Sequence, residues 1–175
     1  MLNTLYLIRH AHPKQNTGIA YDRVPGPPLD AEGLAEAAAA AAYLSHCGLQ
    51  ALLVSPLDRT QQTADAIASA TGLIPEMHDA LAEHRNGEGF DQVKTRMRAQ
   101  LTLAESGAHH TLGLVTHGSP IKALLQILSA EKIDLGPYNF PGNNPAPTAG
   151  IWCATRTAGG WDLALVFEPQ RTTSG

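Results

Sequence analysis

The sequence predicts an α/β protein: a three-layer α/β/α sandwich on a mainly parallel sheet, with an antiparallel edge from a C-terminal hairpin. Three observations carry this. Leu5-Tyr6-Leu7-Ile8, Leu49 to Val54 and Leu112-Gly113-Leu114-Val115 are short continuous apolar runs, the pattern of strands buried on both faces. Helical patterns alternate with them, which implies a sheet covered on both sides. Near the end, Ile151 to Thr155 and Leu163 to Phe167 flank Gly159-Gly160, which reads as a hairpin.

In chain order, the first strand runs into Arg9-His10. A helix follows in which Leu34, Ala37, Ala38, Ala41 and Leu44 recur at helical spacing. Asp30 is placed to cap it and Gly48 to end it. The second strand leads into Ser55-Pro56. Ser55 reads as an N-cap, with Pro56 at the first helical position and Asp58 three residues on. Leu57, Ala64, Ile67 and Ala68 supply that helix's buried face. The third strand leads into Thr116-His117-Gly118. Ser119-Pro120 repeats the start signal, with Ile121, Leu124, Leu125 and Leu128 behind it. Pro137 to Pro147, rich in Pro, Gly and Asn, reads as a loop. Residues 1–169 are expected to form one domain and 170–175 a flexible tail.

Composition bounds the function. The chain has 175 residues, enough to bury roughly 70% of its unfolded surface without a disulfide or metal staple. Charged residues are 16% and the net charge is −4. Disorder by charge excess is excluded, and a general nucleic-acid binder would carry a basic surplus. An anionic ligand must therefore be held by a local cationic pocket. Cys47 and Cys153 are the only cysteines and read as two reduced thiols. No run approaches the ~20 apolar residues of a membrane span. The apolar start, broken at once by Arg9, is not a signal-peptide pattern. These features point to a cytoplasmic protein.

In parallel α/β sheets, ligands bind beyond the carboxyl ends of the strands. Arg9 and His10 follow the first strand, Arg59 lies in the first turn of the next helix, and His117 follows the third strand. Two arginines and two histidines thus gather at one sheet edge, beside helix N-termini that add N–H donors. The pocket suits a phosphoryl group. Arginine contacts phosphate oxygens in a planar fork, a neutral imidazole can attack phosphorus, and nearby cations keep His10 unprotonated. A proton donor is still required for the leaving oxygen. Glu83, in Leu81-Ala82-Glu83-His84-Arg85-Asn86-Gly87, is the leading candidate, with Glu88 and Glu76 as nearby alternatives.

These residues resemble the histidine phosphatase superfamily, also called phosphoglycerate mutase-like. Leu5-Tyr6-Leu7-Ile8-Arg9-His10 looks like its signature strand. Ser55-Pro56-Leu57-Asp58-Arg59-Thr60-Gln61-Gln62-Thr63-Ala64 is close to S-P-L-x-R-x-x-Q-T-A, and Leu114-Val115-Thr116-His117-Gly118 matches V-x-H-G. Leu29-Asp30-Ala31-Glu32-Gly33 resembles the helix start L-T-x-x-G, and Asn16 matches a phosphate-contacting Asn. Together they span residues 5 to 122. The resemblance implies His10 as the phosphorylated nucleophile, Arg9, Arg59 and His117 as the phosphate pocket, and Glu83 as proton donor. It places Asn16, Gly118 and Ser119 on the substrate. Two stretches depart from the pattern. Arg9-His10-Ala11-His12-Pro13 stands where the family reads R-H-G-E/Q-T, and Glu88-Gly89-Phe90 is rearranged against L-x-E-x-x-x-G-x-W-E-G.

The expected activity is hydrolysis of a phosphate monoester, as in the short phosphatase branch. Phosphoglycerate mutase-type transfer is one alternative. A zinc metallohydrolase using His10, His12 and His117 is another, although Arg9 and Arg59 would repel a metal. No cofactor or metal is expected. The expected partner is a small phosphorylated metabolite or phosphopeptide, with no nucleic acid and no membrane. No feature decides between monomer and homodimer. Residues 17–28, 84–96 and 137–148 are the loops expected to select the substrate.

Overall fold

The structure, a computed structural model, describes residues 1–170. The tail expected at 170–175 lies, apart from Gln170, outside the described residues. Among the described residues six strands form one sheet: β1 (Thr4–Arg9), β2 (Ala51–Val54), β3 (Pro75–Met77), β4 (Thr111–Thr116), β5 (Ile151–Thr157) and β6 (Gly160–Phe167). Their order is β3-β2-β4-β1-β5-β6. The first four run parallel, while β5 and β6 add the antiparallel edge foreseen from the glycine pair.

Alternation within the strands builds two cores. Leu5 and Leu7 of β1, with Leu53, Leu112 and Leu114, pack on α3 (Phe90–Ser106) and α4 (Gly118–Leu128). Ile8, Leu52, Val54 and Val115 point the other way, onto α1 (Ala31–Leu44) and α2 (Asp58–Thr71). This is the three-layer sandwich. At Gly113 of β4 a Cβ would stand 2.9 Å from the Leu52 side chain, so close packing across β2 and β4 needs the glycine.

Several expectations are corrected. Asp30 caps α1 through Gly33 N–H, as expected, but α1 ends at Leu44, before Gly48. Its buried face is Gly33, Glu36, Ala37, Ala40, Ala41 and Leu44, while Leu34 and Ala38 face solvent. The helix is turned about one position because its small residues pack on α2 rather than centring Leu34. Ser55 and Pro56 lie outside α2, whose N-cap position is Leu57. At α4 the N-cap position is His117, so Ser119 and Pro120 already belong to the first turn. The loop expected at 84–96 ends at Gly89, where α3 begins. Val93, Met97, Gln100 and Leu101 form the buried stripe of that helix, a periodic signal that the sequence does carry.

Candidate active site

The strand order brings β1 and β4 side by side in parallel, so their carboxyl ends deliver Arg9-His10 and His117 to one place. The centroids of the His10 and His117 rings are 5.1 Å apart. Arg59 enters from the first turn of α2, with Nη2 3.2 Å from His117 Nδ1. All three of His10, Arg59 and His117 are fully buried, and Arg9 nearly so. Four of the expected residues therefore converge.

Hydrogen bonds define the chemistry of each ring. His10 Nδ1 is 2.8 Å from the Ala11 carbonyl oxygen. A carbonyl only accepts, so Nδ1 carries the proton and Nε2 presents a lone pair. Burial pushes the His10 pKa well below the usual histidine value, and the Arg59 and Arg9 charges push it further. His10 is thus a neutral base. His117 is held down in the same direction, first by burial and then by His10, Arg59 and Arg9.

The arginines are fixed from behind. Arg9 Nη1 donates to the Ala146 carbonyl at 2.8 Å, which ties the segment before β5 to the end of β1. The Nε and Nη1 groups of Arg59 are buried with no hydrogen-bond partner among the described residues. Such donors are costly unless an acceptor meets them, and they are what an anion would satisfy. Burial lowers the Arg59 pKa from its ordinary value, yet guanidinium stays charged at neutral pH.

The motif residues around Arg59 are ties. Thr63 Oγ1 accepts from Ala11 N–H at 3.0 Å and donates to the Arg59 carbonyl at 2.7 Å. Gln62 Oε1 accepts from Leu29 N–H at 2.7 Å. The turn after β1 and α2 are therefore locked together. Opposite them, the buried carboxylate of Glu36 accepts from His12 N–H and from Thr148 Oγ1, each at 2.8 Å.

The acid loop distinguishes two carboxylates. Glu88 is gripped by Arg96, with Nε to Oε1 at 2.8 Å and Nη2 to Oε2 at 3.1 Å. The Arg96 bonds hold its pKa below the usual carboxylate value. A carboxylate so paired is a poor proton donor. Glu83 is half-buried, accepts from His84 N–H through Oε1, and places its charge near Arg59 and Tyr21. Glu76 lies on β3 at the far edge of the sheet.

Gly118 and Ser119 open α4 directly after His117. The Asn144 side chain packs into the space where a Gly118 Cβ would sit. Asn16 stands apart from the buried cluster, on an exposed turn at φ 54°. His12 turns to Asp30 at 2.8 Å, and both nitrogens of His117 are engaged within the site. Among the described residues no group of three or more His, Cys, Asp or Glu is arranged to hold a metal ion.

Tyr21 is a site residue that the sequence did not single out. Its hydroxyl is 3.3 Å from His10 Nε2, and the Arg59 guanidinium lies 3.9 Å from its ring centroid. A cleft of about 360 Å³ lies against Tyr21, Arg9, His12, Glu36 and Thr148. Another, of about 390 Å³, is lined by the following residues Asp22, Arg23 and Val24 with Leu57, Arg85 and Asn86. Asp22 accepts from Asn86 N–H at 3.0 Å, joining the 17–28 and 84–89 loops.

Residues 5–88 match the profile described as histidine phosphatase superfamily (branch 1). An uncharacterized Mycobacterium tuberculosis protein is 29% identical, covering 74% of this chain and 80% of its own. Among solved structures, a mycobacterial glucosyl-3-phosphoglycerate phosphatase superposes with TM-score 0.72 at 20% identity, covering 93% of this chain and 97% of that one. An Agrobacterium tumefaciens protein proposed to be the phosphohistidine phosphatase SixA gives 0.71 at 22% identity, covering 97% and 100%. At these identities the structural likeness concerns the fold.

Proposed function

We propose, from the match of residues 5–88 to the histidine phosphatase superfamily, that the chain is a member of that family and hydrolyses phosphate monoesters through a phosphohistidine on His10. The observation that carries the reading is the neutral His10 Nε2 buried beside Arg59, whose Nε and Nη1 have no hydrogen-bond partner among the described residues. Nε2 attacks phosphorus and the ester P–O bond breaks. Arg9, Arg59 and the first N–H groups of α4 stabilise the charge on the transferring group, and His117 contributes by holding one arm of Arg59 through Nδ1. Glu83 protonates the leaving oxygen. As a carboxylate it then takes a proton from the water that attacks phosphohistidine, which releases inorganic phosphate and restores His10. Gly118 and Ser119, at the start of α4 beside His117, contact substrate.

The substrate class is a small phosphorylated metabolite or phosphopeptide. Its phosphate enters the shared pocket, and the clefts beside Tyr21 receive the rest. The phosphatases among the solved neighbours support the reaction class. The grip of Arg96 on Glu88 supports Glu83 as the acid.

The test uses leaving groups of different pKa. An alkoxide needs its proton early, whereas nitrophenolate leaves nearly unaided. Glu83→Gln is expected to damage hydrolysis of alkyl phosphates more than of p-nitrophenyl phosphate, by ~10²-fold or more. Equal losses on both would remove Glu83 from the acid's role. A selective loss from Glu88→Gln would transfer it to Glu88.

A further inference from the structure

Ser55 carries a helix-start signature, yet its hydroxyl caps nothing. The first residue of α2 is Asp58, and Ser55 Oγ instead lies 2.7 Å from His117 Nε2. Both groups are fully buried. The Ser55 backbone is itself held, with its N–H donating to the Val115 carbonyl at 3.0 Å and its carbonyl accepting from Thr60 Oγ1 at 2.9 Å. The hydroxyl is thus presented from a fixed point.

The other side of the ring decides the tautomer. Arg59 Nη2 can only donate, so His117 Nδ1, 3.2 Å away, is the acceptor. The ring proton then sits on Nε2 and donates to Ser55 Oγ. A chain results: Ser55 holds the His117 proton on Nε2, His117 offers the Nδ1 lone pair, and that lone pair fixes one arm of Arg59. The rest of the fork, Nε and Nη1, has no hydrogen-bond partner among the described residues.

We propose that Ser55 is a positioning residue that anchors the Nε2–H of the His117 ring and, through that ring, the orientation of the Arg59 fork toward phosphate. The inference rests on the phosphate-binding reading of this pocket. Without the hydroxyl, the buried Nε2–H has no acceptor, so the ring turns to recover one. Its Nδ1 then leaves Arg59 Nη2, and the guanidinium loses the contact that holds one arm.

The tautomer is readable without any substrate. Nitrogen-15 NMR of the wild-type His117 ring should show a protonated Nε2 and an unprotonated Nδ1. Ser55→Ala should move the His117 ring resonances and weaken binding of inorganic phosphate or vanadate by about tenfold, the scale of one lost buried hydrogen bond. Ser55→Thr, which keeps the hydroxyl, should restore both. In turnover, Ser55→Ala should raise KM more than it lowers kcat. A wild-type ring protonated on Nδ1 overturns the proposal, even if the alanine variant does not fold. So does a Ser55→Ala protein with unchanged anion affinity. A correct tautomer in a protein that turns over no phosphate ester would instead overturn the phosphatase reading and leave the Ser55 chain standing.

Discussion

The Tyr21 hydroxyl donates to Nε2 of His10 at 3.3 Å, on the atom through which the proposed attack proceeds. Phosphorus must come to the same place, so tyrosine and substrate compete for it. Burial raises the Tyr21 pKa, against the pull of Arg59 and Arg9, which keeps the hydroxyl protonated as a donor. Tyr21→Phe deletes one neutral hydrogen bond, on the order of 1 kcal/mol. The expected result is a KM several-fold lower, with kcat unchanged. Steady-state kinetics on p-nitrophenyl phosphate reads it, and a raised KM would mean that the hydroxyl binds substrate instead.

Arg96 secures the loop that carries Glu83. Besides gripping Glu88, it donates to the Ala80 carbonyl and, at 3.4 Å, to the Glu83 carbonyl. Arg96→Ala leaves the mostly buried Glu88 carboxylate without its charge partner. The expected cost is about 2 kcal/mol in denaturant unfolding, together with a loss on alkyl phosphates that exceeds the loss on aryl ones. Unchanged selectivity would show that the loop holds Glu83 without help from α3.

Arg59→Lys keeps the charge but not the fork. The lysine cannot serve a phosphate oxygen and His117 Nδ1 together. The expectation is a fall in kcat/KM of ~10²-fold and weaker inhibition by vanadate. An unchanged variant would place Arg59 outside the phosphate contact.

Stability should depend on the two buried histidines. Both have folded pKa values well below the unfolded value near 6.5. As pH falls below that unfolded value the unfolded chain binds protons that the folded chain refuses, so the contribution present above about 6.5 is lost on acidification. The slope should approach about two protons between there and the folded pKa values. The paired carboxylate of Glu88 acts in a lower window, losing its contribution only as pH falls below about 4. Unfolding by denaturant across pH 4.5 to 7.5 measures this, and His10→Gln should remove about one proton from the slope.

The convergence of Arg9, His10, Arg59 and His117 was legible in the sequence because buried strands announce themselves as apolar runs, and parallel packing then brings their ends together. Other features were hidden for identifiable reasons. The capping rule assigned the Ser55 hydroxyl to a helix, but the buried His117 ring competes for it and the helix starts three residues later. Nothing in the pattern of a loop says which side chain folds back, so Tyr21 gave no signal. Glu36 carries no mark in the sequence that sets it apart from other helix acids, and it is a buried bridge between two loops. The helix Phe90–Ser106 did leave a periodic trace, obscured by the glycines and charges just before it.

The central claim is a covalent phosphohistidine on His10. Rapid quench without acid, using ³²P-labelled substrate, followed by peptide mapping, tests it most directly. The account predicts acid-labile label on His10, absent from His10→Ala, with turnover of that variant down at least ~10³-fold. Label on a serine or cysteine, or turnover that survives His10→Ala, would contradict it.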